Sequence, residues 1–185
     1  KEGRIVSGSY TPAESTNISG STVTTSFTLE TLSEGAAQNS SGSEGASGDL
    51  ANGTVDNIRW EIVSPNTASG TFSLLIRRGN DTQNSKAVLE TWPNLSLDPN
   101  ASNYIEKVIG NSTQTVTEDT GTGEYYVKNE GTYNTLSNFV RVKSVSAPTL
   151  NYFDNAGNAK SEFTGSIPVV ASGTFEGATG TPFTT

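Results

Sequence analysis

The sequence predicts a mainly β fold, an antiparallel β-sandwich or barrel-like domain with one short amphipathic helix at about 99–109. Only 32% of the 185 residues are hydrophobic, 19 are glycine, and Ser, Thr and Asn dominate the remainder, a composition that favours strands and turns. Short segments of alternating apolar and polar residues recur between turn-forming residues. One segment combines helical periodicity with start and stop signals. We therefore expect roughly eight to ten short strands and one helix.

The N-terminal third contains two strand signals and one long polar segment. Residues 3–11 and 22–32 read as strands, because large apolar residues alternate there with small or polar ones. Residues 33–54 hold almost no large apolar side chain, so burial cannot compensate the entropy of ordering them. We expect a flexible, exposed Gly/Ser-rich loop there. A tolerated surface insertion is the favoured interpretation, and a binding loop is the alternative.

The central stretch carries the strongest local signals for paired strands. Ile58, Trp60 and Ile62 share one face of a strand over 57–63, which predicts a core position for Trp60. The segment 71–78 alternates in the same way. A connection over 79–85, rich in Asn, Asp and Gly, looks too polar to bury, and 86–92 resumes extended alternation. These signals predict antiparallel strands joined by short connections.

The helix prediction depends on residues at both of its ends. Asp98 is placed to cap the first turn, and Pro99 has the fixed φ that suits the first helical position. Ala101, Tyr104, Ile105, Val108 and Ile109 follow with the spacing of one apolar helical face. Gly110 supplies a C-terminal stop. We expect this helix to pack on the sheet.

The segment LETWPNLSLDPNASNYIEKVIGN, which ends at Asn111, resembles the contractile-tail sheath proteins of bacteriophages. In those proteins a strand carrying a Glu leads into an NLS-DP turn, a helix beginning with Tyr-Ile and a closing Gly-Asn. The later segment IPVVASGTFEGATG is similar to the Gly-rich passage that follows this module. The resemblance covers residues 58–112 well and 167–180 loosely.

The resemblance implies a structural virion protein and no enzyme. A sheath subunit assembles helically with other copies of itself around the tail tube. A trigger at the baseplate then causes the sheath to contract and to drive the tube through the host envelope. The implied partners are other sheath subunits, tail tube and baseplate proteins, and the implied location is the virion tail, assembled in the host cytoplasm. The absence of Met and the start at Lys1 suggest a single β-rich domain, 1–185, of a longer chain.

The C-terminal half is predicted as strands separated by polar links. Residues 112–122 read as a polar link, and residues 171–185 are rich in Gly and Thr. The predicted strands are 124–128, 138–145, and a hairpin of 150–153 with 162–170 whose tip is 154–158.

Composition excludes several function classes. The net charge of −8 argues against binding to nucleic acid and to anionic membrane surfaces, because both require clustered cations. The chain has no Cys and no His, so thiol or Ser-His nucleophiles and zinc sites are not expected. No motif indicates a cofactor, and no apolar run approaches the ~20 residues of a membrane span.

Two acid-containing groups are chemical candidates, although the sequence favours ordinary structural roles for both. The candidate glycosidase carboxylates are Glu90, Glu118, Asp119 and Glu124. A solvated surface location is the favoured interpretation, because none lies in an evident aromatic cleft. The candidate calcium ligands are Asp154, Asn155 and Asn158. Without EF-hand spacing, a plain turn is favoured.

Three residues are candidates for a protein interface: Arg77, Arg78 and Trp92. The two arginines form a charge cluster that we expect to be solvated and able to meet an acidic neighbour. Packing against the helix is the favoured interpretation of Trp92, with a surface platform as the alternative. The alternative function is an adhesin, a carbohydrate-binding module or a surface-layer domain. Coplanar, solvent-facing rings among Trp92, Tyr104, Tyr125 and Tyr126 would favour that alternative.

Overall fold

The computed structural model describes residues 5–10, 24–32 and 45–175. Its strands are β1 (Ile5–Tyr10), β2 (Thr24–Thr31), β3 (Ile58–Asn66), β4 (Thr71–Arg78), β5 (Val88–Ser96), β6 (Thr113–Glu118), β7 (Tyr125–Glu130), β8 (Val140–Val145) and β9 (Ala171–Thr174). Its helices are α1 (Ile105–Ile109) and α2 (Ser161–Thr164). All strand pairings within the sheets are antiparallel. The prediction of a mainly β, antiparallel, sandwich-like fold is confirmed.

The strands form three sheets, two of which share a core. Their orders are β1-β2-β8, β5-β4-β3-β9 and β6-β7. Phe27 of β2 stacks on Phe72 of β4 with ring centroids 5.5 Å apart, which joins the first two sheets. The shared core also contains Trp60, and it includes Ile105 and Ile109 of α1. Trp60 is therefore a core residue, as predicted.

Both faces of β3 are buried over its first five residues. Ile58, Trp60 and Ile62 face the core, whereas Arg59 and Glu61 alternate onto the opposite face. That second face is covered rather than solvated, because residues 45–54 and the β4–β5 connection pack over it. The predicted alternation is correct, and the polar face lies inside the protein.

The helix is shorter than predicted, because α1 begins only at Ile105. Asp98 accepts a hydrogen bond from the Asn100 backbone N–H at 3.0 Å and forms a turn instead of a helix cap. Ser96 then donates its backbone N–H to the Asn103 carbonyl at 2.9 Å, which closes residues 97–103 into a series of turns that ends at Tyr104. The expectation of a helix from residue 99 is wrong, because these turns take the place of the first helical turns. The predicted stop at Gly110 is correct.

The predicted hairpin of 150–153 with 162–170 is wrong. A single bridge joins Phe153 to Ala159, and the short helix α2 follows. The ring of Phe163 packs on Tyr152 with a centroid distance of 6.4 Å, which favours a helical turn over a second strand.

The Gly- and Thr-rich segment 171–185, for which no strand is predicted, contains β9, which pairs with β3. Gly173 lies against the ring of Trp60, where a Cβ would overlap the indole. This close approach requires a glycine. Gly173 is therefore part of a strand, although glycine in a sequence usually suggests a loop. Residues 176–180 of the resembling segment lie outside the described residues.

The loop predicted at 33–54 is described from residue 45 onward. Its described part is not a free surface loop, because Leu50 is buried and Gly48 packs on Gln83. The Ser47 carbonyl also accepts a hydrogen bond from the Gln83 backbone N–H at 3.1 Å. Residues 45–54 therefore form a cover over the outer face of the four-stranded sheet.

Candidate functional site

The most exposed ordered element is the hairpin formed by β6 and β7. Its strands pair without a bulge from Thr113 opposite Glu130 to Glu118 opposite Tyr125. They contact each other extensively and make at most marginal contact with the other described helices and strands. The hairpin base is attached through Asn111, whose side-chain oxygen accepts the Thr132 and Tyr133 backbone N–H groups, each at 2.9 Å. The hairpin is thus anchored at its base and free along its length.

One face of this hairpin carries three exposed apolar or aromatic side chains. Val116 lies opposite Val127, and both share a face with Tyr125. Their exposed fractions are 72% for Val116, 57% for Val127 and 70% for Tyr125. A contiguous apolar surface that is left in water is typical of an interaction site.

The tip of the same hairpin is acidic. Glu118, Asp119 and Glu124 are exposed and lie at or within the turn between the strands. Asp119 accepts the Gly121 backbone N–H at 2.8 Å, and Glu118 accepts the Tyr125 hydroxyl at 3.3 Å. Glu90 lies elsewhere, on β5. The four candidate glycosidase acids therefore do not form one site.

A network of buried charges lies on the outer face of the four-stranded sheet. Arg59 and Arg77 are directly opposite each other on β3 and β4, and both are fully buried. Two like charges in this position repel. Asp81 compensates them, because its carboxylate accepts the Arg77 Nε at 2.7 Å and Nη2 at 2.8 Å and lies 3.6 Å from Arg59 Nη1.

Glu61 extends this network toward the surface. Its carboxylate accepts Arg77 Nη1 at 2.9 Å and Lys86 Nζ at 2.7 Å. Arg59 donates to the Gly48 carbonyl at 2.6 Å, which ties in the covering segment 45–54. Because buried charges are tolerated only when they are paired and hydrogen-bonded, the network defines how the cover, β3, β4 and the β4–β5 connection fit together. We call Arg59, Glu61, Arg77, Asp81 and Lys86 the buried ion network.

The buried ion network corrects the expectation of a solvated Arg77–Arg78 pair. Arg77 is inside the protein, whereas Arg78 is exposed. The β4–β5 connection, expected to be too polar to bury, buries Asp81 because that carboxylate is paired there. The sequence signal for this burial is weak, since an Arg at the end of a strand and an Asp in a turn are ordinary surface residues.

Trp92 is half-buried against the core and is not an open platform. Its indole N–H donates to Glu90 at 3.1 Å. The same carboxylate accepts the Ser137 hydroxyl at 2.6 Å and the Asn138 backbone N–H at 2.8 Å. Glu90 therefore joins β5 to the segment before β8, which is a structural role.

The four rings that would discriminate a glycan platform do not form one. Tyr104 is buried, and burial, with Glu106 nearby, raises the pKa of its hydroxyl to about 12. Tyr125 and Tyr126 are exposed, yet they are consecutive residues of β7 and point to opposite faces. With Trp92 half-buried, these rings share no plane in solvent.

The candidate calcium loop is a hydrogen-bonded turn. Asp154 accepts the Ala156 backbone N–H at 2.8 Å and that of Asn158 at 2.9 Å. These hydrogen bonds, the one from Asn158 above all, lower the pKa of the Asp154 carboxyl. In the residues that the structure describes, no group of three or more acidic side chains could hold a metal ion.

A polar cleft of about 720 Å³ lies at the base of the β6–β7 hairpin. Gln114, Asn129, Glu130 and Arg141 contribute to its lining. Glu130 is paired with Lys128 at 2.6 Å, and Arg141 with Glu30 at 2.7 Å. The charged groups of the cleft are thus engaged in ion pairs within the chain.

The sequence predicts only one strand of this hairpin. It predicts β7, whereas the residues of β6 have the composition of a polar link. Its signal is the alternation of Thr113, Thr115 and Thr117 with Val116 among them, since β-branched residues favour strands.

Comparisons with protein-family models, with curated proteins and with solved structures find no match for this chain. Within the described ranges, neither helix is long and apolar enough to cross a membrane.

Proposed function

We propose that this chain is a structural module of a contractile tail sheath, which assembles helically with other copies around a tail tube. The observation that carries the proposal is the pairing of a rigid body with an exposed docking element. The buried ion network fixes the body, and the β6–β7 hairpin presents Val116, Val127 and Tyr125 to solvent. A mechanical subunit needs both features, because it must keep its shape while its contacts change.

Among structural roles, the resemblance to sheath proteins favours that of a sheath subunit. The resembling residues 58–112 form β3, β4, β5 and α1, which lie together in the core. The module is thus a contiguous structural unit and not a set of scattered matches. Under this proposal the protein belongs to the virion tail, assembles in the host cytoplasm, contacts tail tube and baseplate proteins and performs no catalysis.

The alternative is an adhesin, a carbohydrate-binding module or a surface-layer domain. The exposed ring of Tyr125 is the observation that favours it, because an exposed ring can stack on a sugar. The absence of a shared plane among Trp92, Tyr104, Tyr125 and Tyr126 weighs against it.

The test is negative-stain electron microscopy of the natural full-length protein, concentrated after expression alone and again in the presence of its baseplate proteins. Hollow striated tubes or stacked rings are the expected result. Monodisperse particles under both conditions contradict the proposal. A glycan array with the wild type and Tyr125→Ala then tests the alternative, which requires glycan binding that is lost in the variant.

A further inference from the structure

We propose that the acidic tip of the β6–β7 hairpin of one copy docks on the Arg78 end of the β4–β5 ladder of the next copy. This contact rests on the proposed function, because it takes a second copy of the chain as the partner. The two surfaces are different parts of the molecule. Such a contact is heterologous and propagates from copy to copy, as a helical assembly requires.

The donor surface combines acidic and apolar groups. Glu118, Asp119 and Glu124 concentrate three negative charges at the tip, and no cation lies between Thr113 and Glu124. The Glu124 carboxylate accepts no hydrogen bond and forms no ion pair within the described residues. The apolar face of Val116, Val127 and Tyr125 begins directly behind this tip.

The acceptor surface follows from the side-chain partners of the described Lys and Arg residues. Arg59, Arg77 and Lys86 belong to the buried ion network. The other engaged cations are Lys107 on carbonyl groups, Lys128 on Glu130, Arg141 and Lys143 on Glu30, and Lys160 over the Phe163 ring. Of the cations that the structure describes, Arg78 alone is exposed and shows no side-chain partner.

Arg78 lies at the exposed end of the β4–β5 ladder. Its backbone N–H donates to Ala87 at 2.9 Å, and the neighbouring Arg77 lies opposite Val88. Val88 is 44% exposed, so a free cation and an apolar side chain lie at the same end of the ladder. Val88 shares the face of its partner Arg77 and points away from Arg78, so the match between the two surfaces is one of charge, a free cation against an acidic tip.

The experiment uses cysteine pairs, because residues 1–185 contain no Cys; any Cys elsewhere in the full-length protein is first replaced by Ser. Thr120→Cys labels the tip, and Asn80→Cys labels the acceptor end; both positions are exposed and leave Arg78 and the acids intact. The two variants of the full-length protein are mixed and treated with a short bis-maleimide cross-linker. One of them carries a tag, so that the mixed dimer differs in size from both homodimers. The control replaces Asn80→Cys by Ser161→Cys, at an exposed position on α2.

The expected result is a mixed dimer of Thr120→Cys with Asn80→Cys at about five times the yield of the control, the upper range for one exposed ion pair. Adding Arg78→Glu to the Asn80→Cys variant removes the excess. Adding Glu124→Lys to the Thr120→Cys variant restores part of the excess yield. Salt at about 1 M lowers the yield, because the interaction is screened.

A mixed-dimer yield equal to the control overturns this contact, and so does an excess that persists with Arg78→Glu. If microscopy shows tubes while the cross-link fails, the sheath proposal stands and this interface is wrong. If the cross-link forms while tubes never appear, the interface stands and the sheath proposal is wrong.

Discussion

Asp81→Asn is expected to destabilise the protein strongly, because it removes one negative charge from the buried ion network. The Asp81 carboxylate accepts two bonds from Arg77, at 2.7 and 2.8 Å, and one from the Ala87 backbone N–H at 2.9 Å. Asn keeps one acceptor oxygen and turns an NH₂ group toward a guanidinium or toward that N–H. Arg59 and Arg77, opposite each other, then share fewer negative charges.

The expected loss is about 3–5 kcal/mol in the free energy of unfolding, the range found when one partner of a buried ion pair is removed. With a urea dependence of about 2 kcal/mol/M, typical of small proteins, the urea midpoint falls by about 1.5–2.5 M. Equilibrium urea unfolding, followed by tryptophan fluorescence and by circular dichroism, measures this shift.

Lys128→Gln is the matched control, since it breaks an ion pair of similar length, 2.6 Å, on the exposed hairpin. No measurable shift is expected for it, because exposed pairs contribute little. Arg77→Met combined with Asp81→Leu removes both charges, and we expect it to be less destabilising than Asp81→Asn alone if Glu61 remains paired with Lys86. A midpoint for Asp81→Asn that equals that of Lys128→Gln would refute the reasoning.

Three further perturbations test other parts of the structure. Stability is expected to fall as the pH rises from 10 toward 12, because the pKa of Tyr104 is raised to about 12 in the folded protein and the unfolded chain loses this proton first; Tyr104→Phe should reduce this dependence in urea titrations. Gly110→Ala places a Cβ against the backbone of residues 134–135 at a φ of 101°, and it should lower the free energy of unfolding by about 1–3 kcal/mol. Gly157→Ala, at φ 83° with open space around it, should cost less, and equal thermal shifts would contradict the packing argument. Phe72→Ala should cost about 3–5 kcal/mol, whereas Phe153→Ala, at a half-exposed ring, should cost far less in the same melts.

Local sequence patterns predict part of the candidate interface. β7 follows from its own alternation, and the acids of the hairpin tip are plain in the sequence. β6 was missed because its inward face consists of threonines, which bury little apolar surface and resemble a link. The isolation of Arg78 required the structure, since only the ion pairs of the described residues show which of their cations has no side-chain partner.

The sequence alone determined the elements whose signals are local. The period of two in β2, β3, β4 and β8 is a property of the strand backbone, and Gly110 ends α1 because glycine readily adopts its positive φ. Only the folded structure decided the features that depended on a partner outside the element itself. Hydrogen bonding of Ser96 to Asn103 delayed the helix, the ring of Trp60 made room only for Gly173 in β9, and Asp81 with Glu61 drew Arg77 into the interior. The physical reason is that burial of a polar or small residue is favourable only when its partner is in place, and the folded chain rather than the pattern of one element brings that partner there.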